Sequence, residues 1–116
     1  MISGTGIDIV EVQRIAQAIA RWGDHFLNHV FTEEEIAYSK GRRYPSQHFA
    51  GRFAAKEAVL KAFGKNSHIN WKDISITSNE DGKPICRYKD KNFKKQILIS
   101  ISHTSNYAVA SAIITS

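Results

Sequence analysis

Pro45-Ser46-Gln47-His48-Phe49-Ala50-Gly51-Arg52-Phe53-Ala54-Ala55-Lys56-Glu57-Ala58-Val59-Leu60-Lys61-Ala62-Phe63-Gly64 reads as one long helix, against which every other element has to be placed. Pro45 and Ser46 suit its first turn, and Gly64 its stop. At about 100° per residue, Phe49, Phe53, Val59, Leu60 and Phe63 share one bulky face. The opposite face is Ala50, Gly51, Ala54, Ala55, Ala58 and Ala62, small enough for another backbone to come close. A helix apolar on both sides belongs inside. Yet it carries Arg52, Lys56, Glu57 and Lys61, and charges are seldom buried without a partner or a task. Two readings stay open. Glu57 and Lys61, four apart with the acid first, pair along one face while Arg52 and Lys56 run their stems to water. Alternatively, the four serve a site.

The bulk composition narrows the classes. A length of 116 residues suits a single domain over 1–116. With 42% hydrophobic and 23% charged residues, the chain is composed like an ordinary soluble globular protein. No apolar run approaches a membrane span, and the first residues lack a basic-then-apolar signal pattern. Cys86 is the single cysteine, so no internal disulfide can form; between Ile85 and Arg87 it reads as structural filler. A cytoplasmic protein without membrane contact is expected. The net charge of +5 favours an anionic partner: nucleic acid, a phosphorylated small molecule or an acidic protein.

Upstream of the long helix, residues 2–10 alternate as a strand, with Ile7 and Ile9 on one face. Asp8 shares the other face with Gly4, Gly6 and Val10, and the glycines leave room beside it. Asp8 is either a cap for the next helix or a functional acid. Residues 11–22 form an amphipathic helix with Val12, Ile15, Ala16 and Ile19 as its stripe and Gly23 as its stop. Arg14 and Arg21, seven apart, share its exposed face, either as plain surface or to meet an acidic partner helix. Residues 25–31 read as a short helical turn filling the core. Thr32 with Glu35 is a capping box opening a helix over 33–40 that Gly41 stops. Residues 41–44 are a basic connector. His25, His29 and His48 read as surface or packed histidines rather than metal ligands.

Downstream, residues 65–68 are a polar loop. Strands around Ile74 and Ile76 and over 85–88 flank a turn with an Asp81-Gly82 hairpin signal. Lys89, Lys91, Lys94 and Lys95 surround Phe93 in a solvated basic segment. Residues 97–102 alternate, with Leu98, Ser100 and Ser102 on one face, and residues 107–114 return as the last strand. The intervening turn starts at His103. Ser102-His103 at a strand end, followed by Thr104 and Ser105, suits a phosphate contact, though such residues are common in turns. The fold expected is α+β: an antiparallel sheet from the first and last strands with the long helix packed against it.

Asp8 and Glu57 both sit where the local pattern calls for apolar residues. Lys61 lies one turn, about 6 Å, beyond Glu57. Hard oxygen ligands, joined by phosphate oxygens and waters, are what Mg²⁺ prefers. A lysine beside them can hold a phosphate or protonate a leaving group. Metal-assisted chemistry at a phosphoanhydride or phosphodiester follows if the two carboxylates meet.

Three stretches carry a resemblance: Gly6-Ile7-Asp8-Ile9-Val10-Glu11; Arg52-Phe53-Ala54-Ala55-Lys56-Glu57-Ala58 with Lys61-Ala62; and Ser100-Ile101-Ser102-His103-Thr104 with Tyr107-Ala108 and Ala110. They resemble the three signatures of the holo-acyl-carrier-protein synthases, the small 4′-phosphopantetheinyl transferases. Phe31-Thr32-Glu33 with Glu35, and Asp81-Gly82-Lys83-Pro84, match as well. The likeness runs from near residue 4 to near residue 112.

The resemblance implies the 4′-phosphopantetheinyl transferase fold, a small antiparallel sheet on a long central helix plus shorter helices. It implies transfer of the 4′-phosphopantetheine arm of coenzyme A to a serine of apo-acyl carrier protein, with release of adenosine 3′,5′-bisphosphate, in fatty acid biosynthesis. By that likeness Asp8 and Glu57 are Mg²⁺ ligands at the pyrophosphate. Lys61 is the lysine that contacts the phosphates and can protonate the departing nucleotide. Ser102 and His103 contact coenzyme A near its 3′-phosphate, and Arg52 and Lys56 make nucleotide or carboxylate contacts. Either Glu57 or a metal-bound water takes the serine proton. A homotrimer with sites between subunits is implied, in which Ser102 and His103 face Asp8 and Glu57 across an interface. The alanine face of the long helix and the final strands are the surfaces expected to meet there. Arg14 and Arg21 then dock the acidic helix of the carrier protein.

The sequence departs from the family after Lys61-Ala62. A glycine-rich loop is usual there, and this chain has Phe63-Gly64-Lys65-Asn66-Ser67-His68. Lys65 is positioned to replace a backbone phosphate contact with a side-chain one. Two other classes were open on composition alone. A basic nucleic-acid-binding module fits the charge, but the basic residues are scattered and carry no binding signature. A magnesium-dependent nuclease or phosphohydrolase would use the same carboxylates without a carrier protein. The three signatures favour the transferase and no nucleic-acid partner.

Overall fold

The computed structural model describes residues 1–65 and 67–116, so the loop expected over 65–68 lies partly outside the described residues. In chain order the elements are β1 (Ile2–Glu11), α1 (Val12–Trp22), α2 (Asp24–Val30), α3 (Glu33–Lys40), α4 (Pro45–Phe63), a 3₁₀ turn (Trp71–Asp73), β2 (Ile74–Ser78), β3 (Pro84–Tyr88), β4 (Gln96–His103) and β5 (Tyr107–Thr115). β5 runs between β1 and β4 in an antiparallel sheet of order β1-β5-β4, and β2 pairs with β3 in a separate hairpin. This is the α+β arrangement expected from the sequence.

α4 is the hub. Its alanine face lies on the sheet, with Ala54, Ala55, Ala58 and Ala62 packed among Ile99, Ala110, Ala112 and Ile114. Phe49 and Ala50 look toward α1 and α2, where they join Val12, Ile15, Leu27, Val30 and Phe31. The Phe31 and Phe49 rings sit 5.1 Å apart, and burying each is worth about 2 kcal/mol. At the other end Phe63 meets Tyr88 and Phe93, so the expected solvated segment around Phe93 has one ring anchored inward. The alanine face is therefore consumed within the subunit. It is not a surface for contacts between subunits, because small side chains draw this helix onto its own sheet.

That approach is closest at β1. A Cβ on Gly6 would overlap the Ala58 carbonyl oxygen, and one on Gly4 would overlap that of Ala62. Only glycine permits the strand to lie against the helix backbone there. The row of Gly4, Gly6, Asp8 and Val10 faces α4, while Ile7 and Ile9 point away and remain 65% and 66% exposed. Register places Ile9 beside Val109 and Thr5 beside Ile113 on β5, and Ile113 beside Leu98 on β4. The second face of the sheet thus mixes Ile7, Ile9, Leu98, Val109 and Ile113 with Thr5, Ser100, Ser102 and Ser111, and no element among the described residues covers Ile7 and Ile9.

Smaller departures are local. α1 starts at Val12, since Glu11 completes the β1 ladder opposite Tyr107. The Asp81-Gly82 signal does not make a two-residue turn. Asn79 organises a longer loop, its Oδ1 accepting from the Asp81 and Lys83 amides, with Gly82 at φ 81°. His103 closes β4 rather than opening the turn. Burial pushes the Cys86 thiol up to about 12, in keeping with an inert filler.

Candidate active site

Two clusters of candidate side chains gather along α4. His48 and Glu57 are nine residues apart, about 14 Å along the axis at the helical rise. At the Glu57 end, alternation in β1 directs Asp8 toward the helix, and the glycine contact holds strand and helix together. Lys61 Nζ donates to the Ile7 carbonyl oxygen at 2.9 Å and to Asp8 Oδ1 at 3.3 Å. It bridges helix to strand, so the pair along the helix with Glu57 does not form among the described residues. Lys61 remains half exposed, with one of its three donors free.

Asp8, Glu57 and Lys61 line one open cavity of about 400 Å³, together with Arg14 and an apolar wall of Ile15, Phe26 and Phe53. The carboxylates expected from the sequence are brought together here. Burial, and then the neighbouring Asp8 carboxylate, raises the Glu57 carboxyl above its ordinary range, and Lys61 offsets this only in part. Two oxygen donors that disfavour one another's charge fit a small divalent cation such as Mg²⁺. No group of three or more His, Cys, Asp and Glu side chains gathers among the described residues. The donor set therefore suits an ion that draws its remaining ligands from substrate and water.

The second cluster surrounds Arg52, which is 5% exposed. Its guanidinium lies 3.9 Å over the Tyr38 ring, and that of Arg42 lies 4.1 Å from the same ring. Arg52 Nη2 donates to Ser78 Oγ at 3.3 Å, while its buried Nε has no protein partner among the described residues. His48 stands edge-on between Tyr38 and His103, with ring centroids 5.7 and 5.3 Å away. Burial first, then the charges of His103, Arg52 and Arg42, lower the His48 pKa. Ser102 sits in the row of Leu98 and Ser100 on the open face, one residue out of phase with His103. Neither Ser102 nor His103 lines the Asp8–Glu57 cavity. Arg42, Tyr38 and His48 escaped the sequence reading as members of one group. Their only common signal was a basic connector running into a helix.

Lys56 departs from expectation. It is fully buried, and its ammonium is spent on Glu35 Oε1 at 2.6 Å, the Val30 carbonyl at 2.7 Å and the Trp71 carbonyl at 2.9 Å. With three donors satisfied it has none for a nucleotide, so its role is to hold α4 against α2, α3 and the 3₁₀ turn. Nor do Arg52 and Lys56 run their stems to water. On α1, Arg14 and Arg21 are both exposed, and the Arg21 guanidinium lies 4.9 Å from the Trp22 ring. Trp22 and Phe26 line a second groove beside the cavity, with Phe26 common to both.

Known proteins of one family are similar to this chain over nearly its whole length. The profile of the 4′-phosphopantetheinyl transferase superfamily matches residues 4–112. A holo-acyl-carrier-protein synthase from Thermodesulfovibrio yellowstonii is 50% identical over 115 residues, covering 99% of this chain and 100% of that one. The crystal structure of a holo-acyl-carrier-protein synthase from Bacillus anthracis in complex with CoA (3′,5′-ADP) superposes with a TM-score of 0.88 at 36% identity, covering 100% of this chain and 98% of that one. The Helicobacter pylori enzyme in complex with coenzyme A gives a TM-score of 0.85 at 29% identity, covering 96% of this chain and 99% of that one.

Proposed function

The chain belongs to the 4′-phosphopantetheinyl transferase superfamily, and on that premise we propose how its residues divide the work. The protein transfers 4′-phosphopantetheine from coenzyme A to a serine of apo-acyl carrier protein, yielding holo-carrier and adenosine 3′,5′-bisphosphate for fatty acid biosynthesis. The serine oxygen forms a bond to the phosphorus that carries the pantetheine arm. The pyrophosphate P–O bond breaks, and the nucleotide leaves with that oxygen. The reading rests on one observation above all: Asp8, Glu57 and Lys61 face a single cavity.

Asp8 and Glu57 would hold Mg²⁺ at the pyrophosphate. The ion supplies a Lewis acid that stabilises charge developing on the transferring and leaving oxygens. Lys61, fixed to the β1 backbone, directs its free N–H to the leaving phosphate, either as a charge contact or as its proton donor. Arg52 and His103, with Ser102, bind the nucleotide near its 3′-phosphate.

A homotrimer with active sites between subunits fits two features. Ser102 and His103 do not line the Asp8–Glu57 cavity of their own chain, yet a single ribose separates the phosphates that the two sets are read to bind. Also, the exposed Ile7, Ile9 and Leu98 on the outer sheet face have no covering element among the described residues. This face, rather than the alanine face of α4, is the interface we assign.

The carrier protein docks on α1. Arg14 borders the cavity, Arg21 continues the same exposed row, and Trp22 and Phe26 offer apolar contact beside them. Reversing both charges (R14E/R21E) is expected to raise the KM for carrier protein about tenfold or more while leaving the KM for coenzyme A within about twofold. If neither constant moves, docking lies elsewhere.

The activity is tested by intact-mass spectrometry of an apo-acyl carrier protein incubated with this protein, coenzyme A and Mg²⁺. A phosphopantetheine-sized gain that disappears with EDTA and returns on adding Mg²⁺ is the expected result. No gain across several carrier proteins, from protein that binds coenzyme A, would overturn the acceptor assignment. No dependence on EDTA would remove the metal.

A further inference from the structure

His103 is the exposed last residue of β4, and no hydrogen bond to its side chain is present among the described residues. An imidazole so placed samples several rotamers, and ordering it on a ligand costs entropy. The contact that restrains it is the His48 ring, edge-on at 5.3 Å. His48 is itself well anchored. It sits in the first turn of α4, half-buried, with Tyr38 edge-on at 5.7 Å on its other side. Tyr38 in turn lies under the Arg42 and Arg52 guanidiniums. A run of packed rings thus links the buried Arg52 to an exposed residue at a strand end.

We propose that His48 is a positioning residue, which fixes the His103 imidazole by ring packing and thereby sets the preference for a donor bearing a 3′-phosphate. This rests on the reading that His103 meets that phosphate. The surroundings agree with the assignment: burial, and then the charges of His103, Arg52 and Arg42, lower the His48 pKa and so favour its neutral ring. A direct phosphate ligand would gain from the opposite charge state.

The test compares coenzyme A with 3′-dephospho-coenzyme A as donors, in steady state, for the wild type, H48A, H48F, H103A and H48A/H103A. H48A is expected to raise the KM for coenzyme A about tenfold with kcat within about twofold, and to change either constant for the dephospho donor by less than about twofold. H48F, which keeps a ring at the contact, is expected to recover most of the lost preference. The double variant is expected to be no worse than H103A, since one residue acts through the other.

Equal losses on both donors, wild-type behaviour of H48A, or losses that multiply in the double variant would each overturn the positioning role. So would failure of H48F to recover the preference, which would make His48 a ligand in its own right. Failure of the underlying reading looks different. It is an H103A enzyme that still distinguishes the two donors as the wild type does.

Discussion

Glu57→Gln is expected to lower kcat for phosphopantetheine transfer by at least about a hundredfold, equivalent to roughly 3 kcal/mol of lost transition-state stabilisation. The amide keeps the shape of the side chain but removes one of two carboxylates facing the cavity. The same substitution is expected to leave the melting temperature at pH 7 unchanged or slightly raised. The sign follows from the raised Glu57 pKa, caused by burial and by Asp8. A carboxyl whose folded pKa lies above its unfolded value is disfavoured when ionised, so at neutral pH it subtracts from stability. Loss of activity with retained stability would mark Glu57 as kept for chemistry. A parallel fall in melting temperature and activity would mark it as structural instead. Progress curves by carrier-protein mass, alongside thermal melts, decide between the two.

Glu35→Ala is expected to have the largest effect on stability, roughly 3–5 kcal/mol. Glu35 is fully buried. Its Oε1 accepts from the Thr32 amide at 2.7 Å and from Lys56 Nζ at 2.6 Å, and its Oε2 accepts from the Ile76 amide at 2.7 Å. Alanine would leave an ammonium and two amides without their acceptor inside the core. At this size the melting temperature should drop by about 10–20 °C. The defect should narrow as pH rises. Burial already lowers the Lys56 pKa against the opposing pull of Glu35. Without Glu35 the folded state sheds that proton more readily than the unfolded chain, so raising the pH favours folding. A double variant, Glu35→Gln with Lys56→Met, should lose less than Glu35→Ala alone. A single variant melting within about 3 °C of the wild type would rule out the network as a main support.

This network also shows where sequence reading stops. Lys56 and Glu35 are separated by twenty residues and belong to different helices. Each has an innocent local explanation: Glu35 completes the capping box with Thr32, and Lys56 lies in a helix rich in charge. Nothing in either local pattern says that Glu35 also reaches β2 and α4. By contrast, α4 was legible because its period, its proline and its terminal glycine all agree. Asp8 and Glu57 were legible because each breaks an apolar pattern, and their meeting needed only β1 to pack on α4.

The sheet was half legible. Alternation in β1 separates Ile7 and Ile9 from Asp8 correctly. Hydrophobicity alone would turn the isoleucines toward α4, and the structure turns the glycines there instead. Close backbone approach outweighs side-chain burial at that contact, and the displaced isoleucines form the open face. The Tyr38–His48–His103 group was illegible for another reason: it joins three elements through ring contacts that leave no mark in composition or period.

Because Gly4 and Gly6 set main chain against main chain, the spacing between Asp8 and Glu57 is fixed by two backbones rather than by the side chains beneath them. Ile99 and Ile114 pack on the same alanine face beneath that contact. The register of the chemistry is therefore held at two positions that carry no side chain at all.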